Sequence, residues 1–165
     1  MQGDEWLYAL DLFNLVVPEP LSAGAMTCRA PTPNERDTLV GWRLAYDIEA
    51  IGASDTPEQR TRASAYLDAQ IADENVWVAV ENGVPVSLSA FNAALPDMVQ
   101  LGGIYTPPEL RGRGFAKVAV AGSLLAARER GASRAVLFTN NPSAVRSYVA
   151  LGFVRVGDYS VVLFK

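Results

Sequence analysis

The 165-residue chain is 50% apolar and 19% charged, which suffices for one core-forming domain and argues against wholesale disorder. Its single cysteine excludes an internal disulfide and a Cys-cluster zinc site, and its lack of histidine excludes Ser-His-Asp, Cys-His and histidine–zinc chemistry. The net charge of -4 divides unevenly, with 16 acids and 5 bases over residues 1–110 but 9 bases and 2 acids over residues 111–165.

That division suits an anion site in the second part and a cation near the first, although a merely solvated basic helix face reads equally well from charge alone. A pI of about 4.8 and the absence of a long Lys/Arg run disfavour a nucleic-acid binder. No metal site is expected, because the carboxylates show no clustered spacing. The first basic residue is Arg29, and Asp11 and Asn14 break the early apolar stretch. Neither a targeting segment nor a membrane contact is therefore expected, and the cytoplasm is the expected compartment.

Residues 6–17, WLYALDLFNLVV, are rich in strand formers. They read either as an ordinary N-terminal strand or as an element from the middle of a longer protein. Thr32-Pro33-Asn34-Glu35 has the pattern of a capping box with proline at the first helical position. Leu39, Trp42, Ala45 and Tyr46 follow at helical spacing, with Gly52 as a stop. Thr56-Pro57-Glu58-Gln59 repeats the device before Ala63, Tyr66, Leu67 and Ile71. Strands are expected over 76–80, 84–90 and 98–105, with Asn82-Gly83 as a hairpin turn. A helix over 115–130 ends at Gly131, a buried strand runs over 135–139, and Asn141 caps a short helix ending at Leu151-Gly152. Two short strands are expected to close the chain. The order implies a mixed sheet with a βαβ unit in its second half.

The segment with most chemistry is the loop Arg111-Gly112-Arg113-Gly114. Glycines where a strand turns into a helix leave the first-turn N–H groups open beside the positive end of the helix dipole. A P-loop needs Gly-Lys-Ser/Thr here, and the sequence is Gly-Phe-Ala-Lys. A dinucleotide loop needs a third glycine, and position 117 is Lys.

Arg111, Gly114 and Ala116 fit the pattern R/Q-x-x-G-x-G/A, and Asn141, Ala144, Tyr148, Gly152 and Phe153 fit a second block. In these two motifs, in this order, the chain resembles the GNAT superfamily of acetyl-CoA-dependent N-acetyltransferases. The likeness is strong over residues 98–156 and extends to element order from Met26. It implies a domain over residues 26–165, with residues 1–25 as an extension or the remnant of a preceding domain. The implied fold is α/β, a three-layer arrangement with a central mixed sheet of six to seven strands, splayed at the cofactor cleft, and helices on both faces.

The resemblance also implies roles. Backbone groups of Ile104, Tyr105 and Thr106 would pair with the pantetheine arm of acetyl-CoA. N–H groups of Arg111, Gly112, Arg113, Gly114, Phe115, Ala116 and Lys117 would hold the pyrophosphate. Asn141 and Ser143 would lie near the cofactor, and Tyr148 near the sulfur.

A neutral phenol can protonate a departing thiolate, so Tyr148 is the expected general acid, with a core tyrosine as the alternative. Gln100 falls where some family members carry a catalytic glutamate, and it cannot act as a base. Asp97, Glu81 and Glu109 are nearby in sequence, and a proton path through water is the default. Cys28 reads as a small buried hydrophobe.

The expected activity is direct transfer of acetyl to an amine on a small molecule or peptide. The rival readings are a non-catalytic acyl-CoA-binding or regulatory module and an interaction domain of a larger protein. Asp47, Glu49 and Glu74, with Trp42, Tyr46 and Trp77 as walls, are candidates for the acceptor side. Homodimerisation stays open.

Overall fold

Residues 3–161 are described in a computed structural model. Seven strands form one sheet in the order β2-β3-β4-β5-β6-β1-β7. β1 spans Gly3–Asp11, β2 Thr27–Arg29, β3 Val76–Glu81, β4 Val84–Ala94, β5 Met98–Tyr105, β6 Arg134–Thr139 and β7 Val154–Val161. Helices α2 (Arg36–Ile51) and α3 (Pro57–Ala72) cover one face over the β3–β5 region. Helices α4 (Phe115–Glu129) and α5 (Pro142–Ala150) pack on the other. A four-residue helix α1, Glu19–Ser22, precedes β2.

Local chemistry explains most element boundaries. Thr32 and Glu35 form the reciprocal capping box, although the turn it starts is 3-10 before α2 begins. Gly52 ends α2 in the left-handed region at φ 69°. Asn82 and Gly83 both take positive φ, 51° and 78°, as a tight hairpin turn demands.

Three expectations are corrected. The first strand stops at Asp11, whose side chain accepts from Phe13 N–H at 3.0 Å and starts a 3-10 turn over Leu12–Asn14. α1 and β2 occupy a stretch with no expected element. One strand, β7, stands where two were expected; an extra residue at Val156 shifts the register between Leu7–Gly157 and Tyr8–Arg155. Residues 162–165 lie outside the described residues.

β1 is built into the sheet. It pairs antiparallel with β6, Leu10 opposite Ala135, and with β7, Glu5 opposite Tyr159. Tyr8, Leu10 and Leu12 are buried in the same core as Val120, Leu124, Leu137 and Phe153. A residue in contact with this core explains Gly152. It adopts φ 108°, and a Cβ there would stand 2.9 Å from Asn14 O and 3.1 Å from Leu10 Cδ1. Gly152→Ala is expected to destabilise the fold by about 1–3 kcal/mol from strained φ alone, read as a lower urea midpoint with an unchanged slope.

Two irregularities open the sheet where the chemistry would lie. β5 and β6 run parallel for only three pairs, Met98–Arg134, Val99–Ala135 and Gln100–Val136, and then diverge. β5 also carries one extra residue between the pairs Ala90–Gly102 and Leu88–Tyr105. Gly103 lies in this bulge at φ 66°, and a Cβ there would stand 3.2 Å from Arg43 Nη1.

Candidate active site

The divergence of β5 and β6 leaves a cleft of about 630 Å³. Ile104, Tyr105 and Thr106 at the end of β5 form one wall, and Asn141, Ser143, Ala144 and Tyr148 of α5 form another. The glycine loop and the first turn of α4 close one end, and Tyr46 and Glu49 of α2 line a further side. Among the described residues no strand pairs with the β6-facing edge of β5 past Gln100. Ser87 fixes the strand end. Its hydroxyl donates to Tyr105 O at 3.1 Å and lies 2.8 Å from Thr106 Oγ1.

The loop takes its shape from Gly112 and Gly114, at φ 78° and 80°. Gly114 is the N-cap of α4, supplies no side-chain cap, and is followed by no acidic residue in the first turn. No backbone acceptor outside the helix engages the N–H groups of residues 112–117 among the described residues. The first-turn N–H groups of α4 are therefore left without a backbone partner beside the cleft, with the dipole behind them, an arrangement that favours an anion.

The two loop arginines behave differently from each other. Arg111 lines the cleft, but its Nη2 pairs with Glu49 Oε2 at 2.8 Å and its Nε donates to Thr106 O at 2.8 Å. Arg113 turns away, pairs with Glu81 Oε2 at 3.3 Å and stacks 4.6 Å from the Phe115 ring centre. Its side chain is not part of the cleft lining. The Phe115 side chain is buried against Val118 and Met26. Lys117 and Arg146 line the cleft and make no ion pair among the described residues. Arg146 was not anticipated, although it lies three residues beyond Ser143 on the same helix, a spacing that shares a face.

Asn141 acts as the α5 N-cap, its side chain accepting from Ser143 N–H at 3.0 Å. Tyr148 is 8% exposed. Its ring meets Phe153 edge-on at 6.0 Å, so packing fixes its direction. Burial pushes its phenol well above the usual tyrosine range, with the Tyr46 phenol adding to the effect. Tyr46 is also raised by burial, while the Gly103 N–H at its hydroxyl pulls the other way. Both tyrosines line the cleft.

The remaining candidates separate. Asp47 is buried and held by Arg43 Nη2 at 2.9 Å and Gln59 Nε2 at 3.0 Å. Arg43 itself lies 4.0 Å from the Tyr66 ring centre. Trp77 is a core residue, 4.6 Å from Phe91. Trp42 packs on Tyr105 at 6.3 Å, outside the cleft lining. Glu74 sits at the end of α3, where its carbonyl accepts from Arg130. Cys28 packs against Gly122, and burial pushes its thiol up to about 12. Among the described residues there is no group of three metal-ligating side chains, and no helix is long and apolar enough to cross a membrane.

Comparison with known proteins agrees with this fold. The model of the acetyltransferase (GNAT) family matches residues 44–153. The acetyltransferase Atu2258 of Agrobacterium fabrum is 31% identical over 123 residues, which is 74% of this chain and 75% of that protein. A GNAT-family structure from Novosphingobium aromaticivorans superposes with a TM-score of 0.66 at 17% identity, covering 97% of this chain and 63% of its own. This chain therefore spans less than two thirds of that relative. A Clostridium acetobutylicum structure solved with acetyl-CoA superposes with a TM-score of 0.61 at 21% identity, over 79% of this chain and 91% of its own. At these identities the structural likeness is one of fold.

Proposed function

The chain belongs to the GNAT acetyltransferase family, and on that premise we propose that it transfers the acetyl group of acetyl-CoA directly to an amine. The observation that carries this reading is the open row of N–H groups at the start of α4, beside the unpaired edge of β5, in one cleft. The row suits a pyrophosphate, and the strand edge suits the amide-bearing pantetheine arm. Lys117 and Arg146 supply charge for phosphate. Arg111 contributes more once phosphate competes with Glu49 for it.

Direct transfer fits the side chains. Cys28 is a buried thiol held far from its anion, so it is no acyl carrier. The amine must arrive neutral, yet an alkylamine with a pKa of about 10.4 is only about one part in 10³ neutral at pH 7. Its nitrogen then attacks the thioester carbonyl, the C–N bond forms and the C–S bond breaks. Tyr148 stays a neutral phenol throughout the neutral range and donates to the departing sulfur. The Glu49 side of the cleft favours a cationic acceptor, on a small molecule or a peptide.

Calorimetry with acetyl-CoA, followed by thiol release in the presence of amines, amino acids, peptides and aminoglycosides, tests the proposal. Binding should also raise the melting temperature, because ligand binds the native state alone. A folded protein that binds no acetyl-CoA overturns the reading. Binding without transfer to any amine class replaces it with a non-catalytic acyl-CoA module.

A further inference from the structure

Among the described residues the cleft is lined by Arg111, Lys117 and Arg146 and by a single carboxylate, Glu49. The cations suit phosphate, so the acid is the feature that the cofactor leaves unexplained. Asp47 is buried against Arg43, and Glu81 and Glu109 stand outside the lining. α2 turns Tyr46, Glu49 and Ala50 towards the cleft, the i, i+3, i+4 spacing of one helix face. Tyr148 lines the same cleft from α5. The carboxylate and the phenol assigned to the sulfur therefore border one space.

Glu49 already holds a cation. Its Oε2 accepts from Arg111 Nη2 at 2.8 Å. That guanidinium is shared, since its Nε donates to Thr106 O at 2.8 Å and its carbon lies 5.5 Å from the Tyr105 ring centre. Both partners of the ion pair are half-exposed, so water screens it and it is weak. A phosphate offers Arg111 a stronger, bidentate partner. Glu49 thus sits where a guanidinium can be exchanged for another cation. That cation is not the reacting nitrogen, because the nitrogen must be neutral to attack and a bound carboxylate keeps an ammonium charged.

We propose that Glu49 recognises a second, non-reacting cationic group on the acceptor, which makes the acceptor class amines that carry two positive charges. The proposal rests on the acetyl-transfer reading above. Phosphate draws Arg111 away, and the acceptor's distal ammonium takes the place of the guanidinium on Glu49. No proton moves in this exchange, and Glu49 stays ionised. Cofactor and acceptor assist each other, because each weakens the Glu49–Arg111 contact that the other must displace. Linkage makes that coupling equal when read from either side.

The test uses probes of one chain length on the full-length protein. 1,4-Diaminobutane offers a second cation, butylamine offers none, and 4-aminobutanoate offers an anion. With saturating acetyl-CoA the wild type should favour 1,4-diaminobutane over butylamine by about tenfold in kcat/KM, the value of one charged hydrogen bond. Glu49→Gln should bring that ratio close to one. Glu49→Lys should turn the preference towards 4-aminobutanoate, which a merely structural residue would not do. Calorimetry reads the exchange without turnover. Glu49→Gln should bind CoA about threefold more tightly, because Arg111 is no longer held against phosphate. CoA should tighten 1,4-diaminobutane binding to the wild type by at least about fivefold, and the Glu49→Gln protein should lose this coupling. Equal losses of 1,4-diaminobutane and butylamine turnover in Glu49→Gln would make Glu49 a base or a structural residue and overturn the proposal. Wild-type turnover with no preference among the probes also overturns it and leaves acetyl transfer intact. Failure of the wild type to bind acetyl-CoA removes the transfer reading as well.

Discussion

Gly114→Val should weaken acetyl-CoA binding by at least about 10²-fold while leaving a folded protein. Two effects act together. Gly114 holds φ 80°, a region that a β-branched residue rarely enters. Relaxing it would swing the N–H groups of residues 112–117 away from one another, and the valine side chain would stand where phosphate must approach. Each lost hydrogen bond to a charged oxygen is worth about 1.5–3 kcal/mol. Losing two removes at least about 3 kcal/mol, and each 1.4 kcal/mol is tenfold in affinity. Gly24→Val is the matched control. Gly24 has a similar φ of 77°, no heavy atom lies within 4 Å of where its Cβ would stand, and it is outside the cleft. It should lose stability without losing affinity. Equal affinity in wild type and Gly114→Val, measured by calorimetry, would remove the loop from the binding site.

The legible parts of this molecule are those determined by neighbours in the chain. Asn82-Gly83, the Thr32–Glu35 box, Asn141 and the two loop glycines each announce a backbone conformation or a cap from a few adjacent residues. β5 carries its alternation openly, with Val99, Leu101 and Tyr105 buried. The illegible parts are decided across distance. Nothing within residues 3–11 states that they will pair with residues 134–139 and 154–161, so β1 could be recognised as a strand but not placed between β6 and β7.

The side-chain partners show the same limit. Arg111 and Arg113 are two residues apart with one chemistry, yet Glu49 keeps the first at the cleft and Glu81 draws the second away. Asp47 looked available for a cation until α2 folded it against Arg43 of its own helix.

Tyr148→Phe should lower kcat while acetyl-CoA affinity stays nearly constant. The ring still meets Phe153, so packing is retained and only the hydroxyl is lost. General acid catalysis contributes typically about 10²–10⁴-fold. Burial places the effect of Tyr148 in the lower half of that range. Its phenol is held above the usual tyrosine range, whereas a thiol loses its proton near pH 8.5. Proton transfer from such a phenol to a thiolate is uphill. Its benefit therefore comes from a hydrogen bond to sulfur as negative charge develops, with the proton crossing late. The raised phenol also predicts that wild-type kcat shows no alkaline loss from Tyr148 ionisation near the ordinary tyrosine pKa of about 10. Donors whose leaving thiol is more acidic need this help less, so the wild-type to Tyr148→Phe ratio should contract with them. Single-turnover rates across a series of acyl thioesters read that ratio directly. A constant ratio across the series, or full turnover by Tyr148→Phe with acetyl-CoA, would make Tyr148 a packing residue and leave water to protonate the sulfur.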